Sequence, residues 1–198
     1  MMARRISFLS EKSMLEVFIS LGVIALMFWV GSVLFSILAF VALIFFVFPG
    51  IYSMIFGAPL TITSRKRRNA IIELGNFKKN DVVYDLGCGD GKLIHEISKR
   101  GVKEAIGYEF SVPTYIVAVI RKWLVQGRER IFYKNFWKRD YSKATKIVCF
   151  LLPNSMRKLK KEIWANLRRG VMLISNDAKL PGIKAEKEMH NVYLYIKK

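Results

Sequence analysis

The chain has 198 residues, with 33 Lys and Arg against 15 Asp and Glu, so its formal net charge is +18. That length allows one ordinary domain with an appendage. Its two cysteines, Cys88 and Cys149, lie in distant apolar segments; this excludes a disulfide framework, and we expect both to be buried and reduced in a domain that faces the cytoplasm.

The first predicted element is an apolar segment, with no charged side chain between Val17 and Ser64. A run at 17–48 is followed by Pro49-Gly50 and by a second apolar stretch at 51–56. A membrane-spanning helix needs about 20 apolar residues. We therefore predict a membrane anchor over residues 1–60, as one long helix or as two short helices with a turn at Gly31-Ser32.

Basic residues flank this segment on both sides, at Arg4, Arg5 and Lys12 and again at residues 65–68. Lys and Arg prefer the cytoplasmic side of a membrane, and the second cluster is the stronger one. We therefore expect the domain of residues 61–198 to face the cytoplasm.

Short strands and helices alternate along residues 61–198. The predicted helices lie at 64–74, 92–100, 113–126 and 154–167; the predicted strands lie at 81–86, 104–109, 130–133, 146–152 and 171–175. The tail at 183–196 is typical of a closing hairpin or an edge strand. This alternation predicts an α/β fold with a Rossmann-like, doubly wound, mostly parallel sheet.

One glycine-rich segment joins the first predicted strand to the following helix. Its sequence is Asp85-Leu86-Gly87-Cys88-Gly89-Asp90-Gly91, so glycine stands at every second position. A doubly wound fold binds nucleotide-like ligands at this place, where glycine lets the backbone approach the ligand. The spacing differs from the G-x-G-x-x-G of dinucleotide binders, and the absence of G-K-[ST] excludes a Walker phosphate loop.

A carboxylate, Glu109, ends the second predicted strand, 18 residues after Gly91. A carboxylate at this position can accept hydrogen bonds from both hydroxyl groups of a ribose. It could also be an ordinary solvated acid, but its register with the glycine loop favours ribose binding.

These residues resemble a known family. Residues 85–91 followed by Gly107-Tyr108-Glu109 are similar to the class I S-adenosylmethionine-dependent methyltransferases. Three further segments resemble the small branch of membrane-anchored protein-lysine methyltransferases that act on mitochondrial carrier and ATP synthase subunits. They are Gly57-Ala58-Pro59, Asn135-Phe136-Trp137 with Asp140-Tyr141-Ser142, and Phe150-Leu151-Leu152-Pro153.

The resemblance implies a compact class I methyltransferase that uses S-adenosylmethionine as its cofactor. It places Asp85, Gly87, Cys88, Gly89 and Gly91 along the methionine and sulfonium side. It further implies that Glu109 holds the ribose, that Phe110 packs near the adenine, and that Asn135 and Phe136 lie beside it. The family usually has an acid at the position of Asn135, whose amide oxygen can still accept a hydrogen bond.

Catalytic residues are not specified by the chemistry, because methyl transfer depends mainly on positioning donor and acceptor. The end of the fourth strand should lie beside the methyl group, which makes Pro153 and Asn154 candidates near it. Asn154 could equally be a helix N-cap. No Cys and His spacing is typical of a metal site, so we expect none.

The basic charge leaves several alternatives open. The basic domain could lie on anionic lipid, bind nucleic acid or have a solvated, Lys-rich face. One basic helix and its end could form a solvated face or lie on anionic lipid (Arg157, Lys158, Lys160, Lys161, Arg168 and Arg169). Trp123, Trp137 and Trp164 are expected to pack in the core or to face a membrane. We expect a membrane-anchored methyltransferase that modifies a protein lysine, in a substrate that could itself be embedded in the membrane. The alternatives are a lipid, quinone-type or RNA methyltransferase, or an inactive cofactor-binding module, with nucleic acid the least favoured partner.

Overall fold

The computed structural model describes residues 2–56 and 63–198, and the side chains of residues 18–45 and 63–198. The chain divides into two compact units after Val47. The predicted motif Gly57-Ala58-Pro59 lies outside the described residues.

The N-terminal segment is one continuous α-helix, α1 (Met2–Phe56). Within it, Phe18–Phe45 forms one helix long and apolar enough to cross a membrane, and its side chains are exposed. Gly31 and Ser32 lie inside the helix, so the turn that the sequence allowed there is not formed. The hydroxyl groups of Ser32 and Ser36 donate to the backbone carbonyls of Trp29 and Ser32, at 2.8 and 2.9 Å, which satisfies them within the helix.

Seven strands form one sheet in the order β3-β2-β1-β4-β5-β7-β6. The first five pair in parallel and β7 pairs antiparallel with β5, which confirms the predicted mostly parallel, doubly wound sheet. The predicted tail is a hairpin whose second strand lies inside the sheet and whose first strand is the edge. The strands are β1 (Val82–Leu86), β2 (Glu104–Glu109), β3 (Arg130–Tyr133), β4 (Lys146–Cys149), β5 (Met172–Asn176), β6 (Lys187–Met189) and β7 (Val192–Ile196).

Within the described residues 63–198, four α-helices accompany the sheet: α2 (Arg65–Gly75), α3 (Lys92–Ser98), α4 (Val112–Leu124) and α5 (Pro153–Glu162). The predicted fourth strand was too long, because the chain leaves the sheet after Cys149 to reach Pro153 at the start of α5. The predicted last helix was also too long. It ends at Glu162, and a 3-10 turn at Trp164–Asn166 brings the buried Trp164 ring edge-on to Tyr195 at 6.4 Å.

The core has two parts, because alternate residues of a strand point to opposite faces of the sheet. Val82, Tyr84 and Leu86 of β1 belong to one buried cluster, and Val83 belongs to the other. Both cysteines are free and buried. The sheet thus presents the carboxyl ends of β1, β2 and β4 side by side, at the edge where the predicted site residues lie.

Candidate cofactor site

The glycine loop begins directly after β1 and rests on β2. The backbone N–H groups of Gly87 and Cys88 both donate to the Tyr108 carbonyl, at 2.9 and 3.0 Å. A Cβ at Gly107 would lie 2.7 Å from the Cys88 sulfur, so only glycine allows this close packing. The loop is therefore fixed against the neighbouring strand before any ligand binds.

Gly89 and Gly91 have left-handed backbone angles, with φ of +58° and +74°. They differ in their surroundings. A Cβ at Gly91 would meet Ile131 at 3.1 Å and Ala118 at 3.3 Å, whereas a Cβ at Gly89 would meet nothing within 4 Å. Gly91 is thus required by packing, and Gly89 leaves its backbone open to a ligand.

The Glu109 carboxylate closes the loop from the end of β2. Its Oε2 accepts from the N–H of Gly89 at 3.0 Å, and its Oε1 accepts from the N–H groups of Phe110 at 2.9 Å and Ser111 at 2.7 Å. Burial raises the pKa of Glu109 above its ordinary value, although these three hydrogen bonds oppose the rise. Two carboxylate oxygens offer about four acceptor positions, so the carboxylate can still accept a further hydrogen bond.

Asp85 lies at the end of β1 and is almost fully buried, with 4% of its surface exposed. Burial, and then the negative charges of Glu109 and Asp90, raise its pKa to about 7. A cationic group placed nearby would stabilise the charged form of Asp85 and lower this pKa. The site therefore combines acidic side chains with open backbone, which suits a ligand that carries positive charge.

Arg121, which no sequence pattern identified, links α4 to the loop. Its guanidinium donates to the backbone carbonyl of Asp90 at 3.0 Å and to the Asp90 carboxylate at 2.9 Å. Arg121 and Lys122 are the two charged residues of an otherwise mostly apolar helix, and that pattern was the available signal.

The aromatic side of the site is formed by Phe110 and Tyr133. The two rings are nearly parallel, at 4°, with centroids 5.6 Å apart, and both are partly exposed. The sequence identified Phe110 but not Tyr133, which reaches the same place because β3 runs beside β2 in register.

Asn135 and Phe136 follow β3 at the same edge. The Asn135 amide oxygen accepts from the N–H of Trp137 at 3.0 Å and caps a 3-10 turn at Phe136–Lys138. One lone pair of that oxygen thus holds the turn, and the other is left for a further donor. The Phe136 side chain is buried in the core, and its carbonyl accepts from the Tyr141 hydroxyl at 2.6 Å.

Pro153 and Asn154 are exposed at the start of α5, beyond the end of β4. The position before the helix is Leu152, which makes no side-chain cap, so Asn154 is not the N-cap. Its amide oxygen accepts from the Arg157 guanidinium instead. Asn176 lies at the end of β5, the strand next to β4 in the sheet. It is 1% exposed, and its amide oxygen has no hydrogen-bond partner among the described residues.

S-adenosylmethionine fits this edge of the sheet. The open backbone at Gly89 leaves room for a ligand, and the buried Asp85 carboxylate would complement the cationic centres of this cofactor. The remaining acceptor positions of Glu109 suit ribose hydroxyls. These fits rest on the residues of this chain alone.

A family model described as "ANTKMT methyltransferase domain" matches residues 85–187. That range begins at Asp85 and includes the whole glycine loop, Glu109 and Asn135.

Similar proteins include a protein-lysine N-methyltransferase from Saccharolobus islandicus, 35% identical over 149 residues, which covers 70% of this chain and 92% of that protein. The lysine N-methyltransferase of the ATP synthase C-subunit from Xenopus laevis is 27% identical over 49% of this chain and 43% of its own length. The adenine nucleotide translocase lysine N-methyltransferase of Mus musculus is 27% identical over 50% of this chain and 44% of its own length. The chain thus spans less than half the length of these two animal relatives.

Solved structures share the fold. An RNA methyltransferase from Salinibacter ruber, in complex with S-adenosyl-L-homocysteine, superposes with a TM-score of 0.65 at 22% identity, covering 69% of this chain and 94% of that one. A precorrin 8W decarboxylase from Methanobacterium thermoautotrophicum superposes with a TM-score of 0.51 at 18% identity, covering 58% of this chain and 63% of that one. At these identities the likeness concerns the fold alone.

Proposed function

The chain belongs to the ANTKMT methyltransferase domain family and is an S-adenosylmethionine-dependent methyltransferase, and we propose that its acceptor is a lysine side chain of a protein. The observation that carries this proposal is the 35% identity to the Saccharolobus protein-lysine N-methyltransferase, over 92% of that protein's length. The animal relatives named for lysine methylation of the ATP synthase C-subunit and of the adenine nucleotide translocase support the same acceptor.

The glycine loop and the carboxylates hold the cofactor in this proposal. The backbone of Gly87, Cys88, Gly89 and Gly91 lines the methionine portion, and Asp85 faces its cationic side. At the end of β2, Glu109 accepts the ribose hydroxyls. The adenine lies between Phe110 and the turn that starts at Asn135, with Phe136 fixing that turn from the core.

Lysine methylation requires the neutral amine. The bound S-adenosylmethionine supplies an electrophilic methyl group on a sulfonium. Transfer of that methyl group to the neutral lysine nitrogen would leave S-adenosylhomocysteine as the neutral thioether, and the proton that the lysine ammonium must lose would pass to water. The chain's own task is to align the amine with the methyl group, and such alignment is worth on the order of 7–11 kcal/mol.

The acceptor enters at the carboxyl end of β4 in this proposal. Pro153 starts α5 there, and Asn154 is exposed beside it. The buried Asn176 oxygen, which lacks a partner among the described residues, would accept a hydrogen bond from the incoming amine.

The apolar part of α1 anchors the enzyme in a membrane in this proposal. Phe18–Phe45 has 28 residues, about 42 Å of helix, which exceeds the roughly 30 Å hydrocarbon thickness and allows for tilt. The exposed apolar side chains and the internally satisfied serine hydroxyls suit a lipid environment. The basic residues 65–68 favour a cytoplasmic domain next to anionic lipid.

The experiment that tests the acceptor uses the purified full-length chain in detergent, labelled S-adenosylmethionine and membranes from its own source. After reaction, the label is separated into protein, lipid and RNA. We expect label in protein for the wild type and none for Glu109→Ala. Label confined to lipid, or to RNA, would replace the lysine proposal with one of the other two acceptor classes.

A further inference from the structure

Helix α4 fully buries one residue and exposes seven of its large apolar side chains. Ala118 is fully buried, whereas Trp123 is 78%, Leu124 68% and Ile120 51% exposed. We name this surface the α4 face; it consists of Val112, Ile116, Val117, Val119, Ile120, Trp123 and Leu124.

The spacing of these residues makes one continuous surface. Positions 112, 116, 119, 120 and 123 recur at helical intervals and lie along one side of α4, with 117 and 124 beside them. Ala118 lies on the opposite side, against the rest of the domain. An amphipathic surface helix normally packs its apolar side against the core. In α4 the apolar side faces outward instead. A contiguous exposed apolar surface of this kind marks a site of interaction.

Lys122 is the basic residue of α4 that no acid among the described residues pairs, whereas Arg121 and Arg130 are paired with Asp90 and Glu104. Between Ser111 and Arg128 there is no Asp or Glu, while Arg121 and Lys122 lie within the helix and Arg130 shortly after it. The nearby acids are already paired. Asp90 binds Arg121, Glu104 lies 3.5 Å from Arg130, and the buried Glu129 lies 3.1 Å from His95.

We propose that the α4 face lies in the headgroup region of an anionic lipid bilayer. An apolar helix side with basic residues beside it and an exposed Trp is the composition of helices that lie in the membrane interface. A second copy of the chain is the less suitable occupant, because it carries the same +18 charge and would repel the first. Anionic lipid complements both the apolar and the basic parts.

This contact rests on the proposed anchor, which keeps the domain at a bilayer. The contact would in addition orient the domain relative to that bilayer. Ser111, just before α4, donates its N–H to Glu109, and Arg121 holds Asp90 of the glycine loop. Because α4 is joined to Glu109 at its start and to Asp90 of the glycine loop near its end, contact of the α4 face with lipid would set the angle of the proposed site to the membrane. The enzyme would then present its methyl group to lysines at a fixed height above the bilayer.

Spin labels on the full-length chain in vesicles test this contact. Cys88 and Cys149 are buried, so a thiol-specific label reacts with an introduced cysteine. Three variants are made: Ile120→Cys on the α4 face, Lys187→Cys on β6 at the far edge of the sheet, and Leu34→Cys in α1. The vesicles contain phosphatidylcholine with phosphatidylserine, or phosphatidylcholine alone. Each label's accessibility to oxygen, which partitions into lipid, is compared with its accessibility to a water-soluble nickel chelate.

With phosphatidylserine present, we expect the oxygen-to-nickel ratio at position 120 to be several-fold above that at 187, and to fall in phosphatidylcholine alone or with Lys122→Glu. Equal ratios at 120 and 187, with a lipid-exposed label at 34, would overturn the α4 contact and leave the anchor intact. Water-exposed labels at both 34 and 120 would overturn the α4 contact and the proposed membrane anchor together. Spin–spin coupling between copies labelled at 120 would assign the α4 face to a dimer instead.

Discussion

The Glu109 carboxylate accepts a hydrogen bond of 3.0 Å from the N–H of Gly89, a residue 20 positions earlier in the chain. This bond joins the end of β2 to the glycine loop, and it brings together the two features from which the cofactor was predicted. The loop geometry and the proposed ribose acceptor are therefore one structural unit, and a change at Glu109 should act on both.

Replacement of Glu109 by Gln is expected to weaken S-adenosylmethionine binding. The amide keeps one acceptor oxygen but turns an NH2 group toward a backbone N–H. Loss of a hydrogen bond to a charged group costs about 1.5–3 kcal/mol, roughly 10- to 100-fold in affinity. Calorimetry on the full-length chain in detergent measures the change. Glu104→Gln, at the opposite end of the same strand, is the control, and an equal loss there would contradict a specific role for Glu109.

Gly89→Ala and Gly101→Ala form a matched pair. Both residues have positive φ, +58° and +73°, and at both positions a Cβ would meet nothing within 4 Å. Each substitution should therefore cost a similar 1–2 kcal/mol or so of stability, from the left-handed backbone. Only Gly89→Ala should lower cofactor affinity, since its Cβ enters the proposed methionine site. Thermal unfolding and calorimetry together separate the two effects; unchanged binding by a folded Gly89→Ala protein would remove Gly89 from the site.

The pH dependence of binding should report Asp85, whose pKa burial raises to about 7. A cationic ligand favours the charged carboxylate, so affinity should rise as the pH increases from 5.5 to 7.5, by up to about tenfold per unit below the pKa. The stability of the free protein should depend on pH in the opposite direction. Because the folded pKa lies above the unfolded one, the contribution of Asp85 to stability is complete below pH 4 and is lost as the pH rises through 7.

Asp85→Asn is the control for that dependence. The amide cannot ionise, so the variant should bind more weakly and its affinity should stay constant over the same pH range. A wild-type affinity that does not change between pH 5.5 and 7.5 would place the cationic part of the cofactor away from Asp85.

The buried ion pair of Lys146 with Asp81 should be required for stability. Burial alone would raise the pKa of Asp81, but hydrogen bonds from Lys146, the Lys78 N–H and the Thr145 hydroxyl lower it. Lys146→Met leaves the carboxylate buried without its cation, at a cost of about 3–5 kcal/mol. Lys158→Met, which removes an exposed pair at 3.9 Å, should cost less than about 1 kcal/mol. Thermal unfolding compares them, and similar losses in both variants would show that the buried pair is dispensable.

The sequence was sufficient to predict the fold, because the fold depends on local signals, and it located the glycine loop on which the proposed site rests. The alternation of strands and helices predicted the parallel part of the sheet, and glycines at alternate positions marked the loop. Tyr133 and Arg121 were not found, because their places depend on the pairing of β3 with β2 and on the packing of α4, which lie outside any local pattern.

Trp123 and Trp164 show the same limit. Trp164 is 6% exposed and Trp123 is 78% exposed, yet both stand in helical segments with apolar neighbours. Apolar periodicity identifies which side of a helix avoids water. It does not tell whether that side meets the protein core or another apolar phase, so the exposure of Trp123 could be determined only from the structure.

The identity of the methylated side chain tests the account most directly. Full-length wild type and Glu109→Ala are incubated with S-adenosylmethionine carrying a heavy methyl group and with membranes from the source, and the proteins are analysed by tandem mass spectrometry. We predict the heavy methyl on lysine side chains with the wild type and on none with the variant. Methyl groups on another residue type, or none from a wild-type enzyme that binds the cofactor, would contradict the lysine methyltransferase assignment.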